Sequence, residues 1–89
     1  MRAIDTSIVP PASESRRLVF HLAKNVTTAR HAAGLTQSQL AEAADLSRAT
    51  IHLIEAGACD PRVSTIAHLA RALHLSPLQL LEGHTFAAP

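Results

Sequence analysis

The sequence predicts an all-α domain of five short helices, and three observations carry that expectation. Its apolar residues are mostly Ala and Leu, with two Phe and no Trp or Tyr, a palette suited to helices and poor in the Val, Ile and aromatics that favour strands. Apolar positions recur at helical spacing, most clearly at Ile66, Leu69, Ala70 and Leu73, which follow i, i+3, i+4, i+7. Capping and stop residues punctuate these stretches at short intervals.

Taken in order, residues 1–12 contain Thr6, Ser7, Pro10 and Pro11 without a sustained period and are expected to form a flexible arm, since Pro-Pro suits neither helix nor central strand. A first helix is expected from about Ser15 to Ala33, capped by Ser13 or Ser15, with Leu18, Leu22, Val26, Ala29 and Ala33 along its inward stripe. Its β-branched stretch Val26-Thr27-Thr28 must lean on packing for its helicity, and Gly34 supplies the stop. Thr36 caps a second helix, with Gln39 completing a capping box and Leu40, Ala41 and Ala44 facing inward. Ser47 caps a third, whose inward residues are Ile51 and Ile54 and which ends at Gly57. In the following loop, Asp60 is expected to cap the turn at Pro61. The fourth helix carries the stripe from Ile66 to Leu73, and Ser76-Pro77 opens a short fifth helix with Leu78 and Leu81 inward and Gly83 as terminator. The domain is therefore placed at residues 13–83, with 84–89 as a flexible tail.

Bulk properties narrow the function. Eighty-nine residues make one domain with a modest core. The net charge of +1 gives no general pull toward nucleic acid, so binding there must come from local placement of Arg and Lys. Cys59 is the single cysteine, which excludes an intrachain disulfide and fits a reducing cytosol. Its neighbour Asp60 disfavours a thiolate, so Cys59 is read as a passive loop thiol. No apolar run approaches the roughly 18–20 residues of a membrane span, and the N-terminus lacks the apolar core of a signal peptide; the chain is expected to be cytoplasmic. The His pairs His21/His31 and His68/His74 do not fall at i, i+3 or i, i+4 and no Cys-x-x-Cys exists, so no metal is expected. Without a nucleophile–base arrangement, a Gly-rich phosphate loop or paired catalytic carboxylates, neither enzyme activity nor a cofactor is expected.

The second and third helical patterns are joined by a turn at Asp45-Leu46, too tight for anything but a near-perpendicular pair. Such a pair can place its second helix in the DNA major groove while the first braces it across the backbone. From about residue 22 to 81 the chain resembles the xenobiotic-response-element, or Cro/C1-repressor, type of helix-turn-helix domain. The matching residues are Arg30, Gly34-Leu35-Thr36-Gln37, Leu40-Ala41, Leu46-Ser47, Ile51, Glu55-x-Gly57, Pro61 and Ile66-x-x-Leu69-Ala70-x-x-Leu73. The resemblance implies a compact five-helix bundle of the lambda-repressor-like DNA-binding type.

It also implies a sequence-specific transcriptional regulator, a repressor binding a palindromic operator as a homodimer and associated with the nucleoid when DNA-bound. With Ile51 and Ile54 inward, Arg48, Ala49, His52 and Leu53 form one patch of i, i+4 pairs, which the resemblance sets against base edges. Arg48 suits guanine, and Ala49 and Leu53 suit thymine methyl groups or, equally, a partner surface. Thr36, Gln37, Ser47, Thr50 and Arg62 are assigned to the DNA backbone, and Arg30 with Glu55 to a structural ion pair. Leu75, Leu80, Phe86 and Phe20, with Val19, are candidate dimer contacts or ordinary core.

Three departures from the family pattern stand out. Asp45 and His74 occupy positions where relatives often have Gly, and loop 58–60 reads Ala-Cys-Asp where relatives often carry Lys or Arg. A weak non-specific affinity and a shallow salt slope are therefore expected of one subunit. The alternative reading keeps the fold but makes the chain an antitoxin or other protein-interaction module, with a toxin or the transcription machinery as partner.

Overall fold

A computed structural model describes residues 12–83. Five helices follow one another: α1 (Ala12–Ala32), α2 (Gln37–Ala44), α3 (Arg48–Glu55), α4 (Val63–Leu73) and α5 (Pro77–Leu81). Among the described residues there is no strand, as the composition predicts, and no helix is long and apolar enough to cross a membrane. Helix α1 packs against α3, α4 and α5, and α2 packs against α3 and α4. The core they enclose contains Leu22, Val26, Leu40, Ala44, Ile51, Ile54, Leu69 and Leu80.

One local device is used three times. Gly34, Asp45 and His74 all adopt the left-handed conformation, at φ 72°, 59° and 58°. Each ends a helix by the paired 6→1 and 5→2 hydrogen bonds of a Schellman motif, as in Leu46 N–H to Ala41 O at 2.9 Å and Asp45 N–H to Glu42 O at 3.2 Å. A Leu follows at once (Leu35, Leu46, Leu75), partly buried against the core. Then comes a hydroxyl cap, Thr36, Ser47 or Ser76, whose oxygen accepts the backbone N–H of Gln39, Thr50 or Gln79. Four residues after each cap sits a fully buried apolar residue: Leu40, Ile51 or Leu80. The Leu before each cap and this residue bracket the first turn as a hydrophobic staple. Gln39 and Gln79 also reach back to the cap N–H, completing two capping boxes. The recurring order of left-handed residue, Leu, cap and buried N4 residue fixes three turns with little chain.

The structure corrects several expectations. Ser13 and Ser15 lie inside α1, which starts at Ala12; no residue from 12 to 15 breaks a helix, and Glu14 in the first turn suits the helix dipole. Ala33 lies beyond the end of α1 and is exposed. Leu78 points outward at 71% exposure while Leu80 is fully buried, so Leu80 is core and not a dimer contact. The reason is the capping box, which fixes the phase of a helix only five residues long. Asn25 reinforces that phase. It is 4% exposed and its Nδ2 donates to the carbonyls of Leu80 at 2.9 Å and Glu82 at 2.7 Å.

Gly83 does not end α5 through a left-handed turn. The helix passes into extended Glu82 (φ −81°, ψ 150°), and Gly83 instead leaves room for the His21 ring, which a Cβ would meet at 2.9 Å. Asp60 makes no side-chain hydrogen bond among the described residues, so its expected turn-capping role is not seen; it stands exposed. Within α1, Val26 is fully buried, so packing carries the β-branched stretch, while Thr27 Oγ1 donates to Ala23 O at 2.8 Å, which satisfies the hydroxyl and does not strengthen the helix.

Candidate nucleic-acid interface

The α2–α3 turn uses only Asp45, Leu46 and Ser47. Asp45 accepts the left-handed conformation because a short polar side chain tolerates it better than most. Ser47 then caps α3, its Oγ accepting from Thr50 N at 3.0 Å and lying 2.8 Å from Thr50 Oγ1. Ile51 and Ile54 anchor α3 to the core at 0% and 2% exposure. By helical period, Arg48, Ala49, His52 and Leu53 emerge on the other side; all four are exposed, Leu53 at 44%. They form one convex patch with a cation near the helix N-terminus, an imidazole, and two apolar side chains.

Behind this patch is a buried polar node. Arg30 Nε donates to Glu55 Oε2 at 2.6 Å and Nη2 to Glu55 Oε1 at 3.0 Å, the two-pronged geometry that suits guanidinium and carboxylate. Arg30 Nη1 also donates to Leu35 O at 2.9 Å, and Gln37 Nε2 to Glu55 Oε1 at 3.1 Å. One node thus joins the end of α1, the α1–α2 turn, the start of α2 and the end of α3. Burial pushes Glu55 up, but the hydrogen bonds from Arg30 and Gln37 and the charge of Arg30 outweigh it and hold the carboxyl below its ordinary value. Arg30 is held above its ordinary range, first by its hydrogen bond to Glu55 and against the cost of burial. A second support comes from α4, where His68 Nδ1 lies 2.9 Å from Ala44 O at the end of α2.

Of the residues assigned to the DNA backbone, Thr36, Ser47 and Arg62 are exposed, while Gln37 and Thr50 are half-buried. Thr36 and Ser47 also serve as caps, and one donor of Gln37 is committed to Glu55. Arg62 opens α4 without a side-chain capping bond. Leu75 packs on the core, Phe20 is 58% exposed, and Phe86 lies outside the described residues. Cys59 is partly buried, and burial followed by the charge of Asp60 pushes its thiol up. Sequence reasoning missed the links from Gln37 to Glu55, from Asn25 to α5 and from His68 to α2. No local pattern marks them, because each joins residues distant along the chain.

Comparison with known proteins agrees with this geometry. Residues 21–82 match the model of a helix-turn-helix domain family. Among solved structures, a hypothetical transcription factor from Neisseria (NHTF) is 30% identical, covering 75% of each chain at a TM-score of 0.71. The restriction-modification controller protein C.AhdI from Aeromonas hydrophila is 29% identical over 70% of this chain and 94% of its own, at a TM-score of 0.67. An HTH_3 family transcriptional regulator from Vibrio cholerae shares the fold at 23% identity and a TM-score of 0.70, over 74% of this chain and 37% of its own. No curated protein sequence is significantly similar. The match over residues 21–82 and the tight α2–α3 turn lead to one conclusion: the chain belongs to the helix-turn-helix domain family, of the Cro/C1-repressor type, a family of DNA-binding transcriptional regulators.

Proposed function

We propose that the chain is a sequence-specific transcriptional repressor that binds a palindromic operator as a homodimer, inserting α3 into the major groove. The observation that carries this reading is the exposed patch of Arg48, Ala49, His52 and Leu53 on a helix anchored by Ile51 and Ile54. Arg48 offers a two-pronged contact to guanine, His52 a hydrogen bond, and Ala49 and Leu53 contacts to thymine methyl groups. Thr36, Gln37, Ser47, Thr50 and Arg62 position the helix on phosphates, helped by the N–H groups at the starts of α2 and α3. Four reading side chains cover few base pairs, so useful discrimination calls for two half-sites about 34 Å apart, one on each copy.

Selection of bound sites from a random duplex pool at fixed salt tests the reading. A palindrome with half-sites one helical turn apart is the expected result. Arg48→Ala should then lower affinity for the selected site by about 1–3 kcal/mol and relax its guanine preference, with helix content unchanged. Enrichment of no sequence, or an Arg48→Ala protein that binds its natural target as well as the parent, overturns the assignment in favour of a protein-interaction role.

A further inference from the structure

The outward face of α1 is cationic and carries an exposed aromatic residue, and the third helix's reading patch makes no use of it. Phe20 is 58% exposed, with Lys24 Nζ 6.0 Å from its ring centroid and Arg16 one turn before it. Between this face and the C-terminal end of α3 runs an open groove of about 620 Å³, floored by Val19, Ala23, Ala56 and Gly57 and flanked by Arg16 and Lys24. Among the described residues, the only carboxylate lining it is Glu55, already neutralised by Arg30. Along α1, Arg17 is offset by Glu14 at 3.5 Å, which leaves Arg16 and Lys24, among the described residues, as the cations beside the groove without an ion pair. The groove lies at the end of α3 remote from Arg48.

We propose that this groove docks an acidic segment of a partner protein, with an apolar side chain of that segment seated beside Phe20 and its carboxylates against Arg16 and Lys24. Three possible occupants differ in charge. A second copy meeting the same face across a two-fold axis would bring Arg16 and Lys24 toward their own images, a like-charge arrangement that disfavours pairing. The chain's own residues 1–11 carry one acid, Asp5, and one base, Arg2, and so offer no net charge to complement. An acidic partner segment satisfies both the cations and the apolar floor. The volume suits one or two anchor side chains, so binding is weak, salt-sensitive and fast.

Titration of the isotope-labelled full chain with a twelve-residue peptide of alternating Glu and Leu, followed by amide NMR, tests this, with a Lys-for-Glu peptide as the control. The acidic peptide is expected to shift amides from Arg16 to Thr28 and at Ala56 and Gly57, while the basic one does not bind. Arg16→Glu/Lys24→Glu should weaken the acidic peptide about tenfold or more, and Phe20→Ala should weaken it with the charges intact; circular dichroism verifies that both variants fold. Equal binding of the two peptides, no binding of either, or shifts confined to Arg48 and His52 overturns the proposal. So does a loss of affinity for duplex DNA, or a change of oligomeric state, in the charge-reversed variant, because the face would then serve DNA or a second copy.

Discussion

Glu55→Ala is the sharpest probe of how α3 is held. Arg30 is 9% exposed, and its guanidinium gives the Glu55 carboxylate two hydrogen bonds, at 2.6 and 3.0 Å. Truncation removes both, takes away the acceptor of Gln37, and leaves the buried charge, among the described residues, with Leu35 O and the ring of His31. Stranding one partner of a buried pair costs about 3–5 kcal/mol. In a domain of this size about 1 kcal/mol moves Tm by roughly 4–8 °C, so a fall of at least about 12 °C is expected. The chain has no Trp or Tyr, which makes helix circular dichroism in urea the assay. Arg30→Met/Glu55→Leu should recover most of the loss, since no unpaired charge then remains.

Acid gives an independent readout of the same node. The carboxyl of Glu55 sits below its ordinary value of 4.5 in the folded chain. Its contribution is therefore complete above the unfolded value and disappears as pH falls through the folded one. The parent should lose stability on acidification faster than Glu55→Gln, and the gap between them should close. A loss below about 1 kcal/mol in Glu55→Ala would refute the reasoning, because that is the behaviour of a solvated surface pair. A double variant as damaged as the single one would refute it as well.

Four further substitutions test the supports around the helix ends. Leu80→Ala should cost about 2–4 kcal/mol in urea unfolding, since Leu80 is fully buried; a cost near zero would return it to the surface. Asn25→Leu removes the donor to the carbonyls of Leu80 and Glu82 and should cost about 1–3 kcal/mol, with faster amide exchange in α5; unchanged exchange there would contradict the clamp. Asp45→Gly and His74→Gly each relieve a left-handed residue and should stabilise by up to about 1 kcal/mol, so a lower melting temperature in either would show that the side chain contributes more than its strain.

Much of the fold is local and was legible in order along the chain. Gly34, Thr36 and Gln39, Ser47, and Ser76-Pro77 mark boundaries through hydrogen bonds made within a few residues, so no distant contact is needed to read them. The inward residues of α2, α3 and α4 follow from period alone. A signal for Leu80 was also present. In Leu35-Thr36…Leu40, Leu46-Ser47…Ile51 and Leu75-Ser76…Leu80 the same spacing from cap to buried residue recurs. Period failed in α5 because five residues make barely more than one turn, too few to define a face.

By itself, then, the sequence determined an all-α chain, the caps of α2, α3 and α5, the stop at Gly34, the tight turn after α2, and an exposed face of Arg48, Ala49, His52 and Leu53 opposite Ile51 and Ile54. Those properties depend on backbone conformation and helical phase, which neighbouring residues set. Tertiary structure decided what holds that face in place: Arg30 reaching across 25 residues to Glu55, Gln37 joining them, His68 supporting Ala44, and Asn25 clamping α5. It also decided that Phe20 stands exposed beside a cationic groove. Each is a meeting of side chains whose separation is set by how whole helices pack, and spacing along one chain carries no measure of that distance.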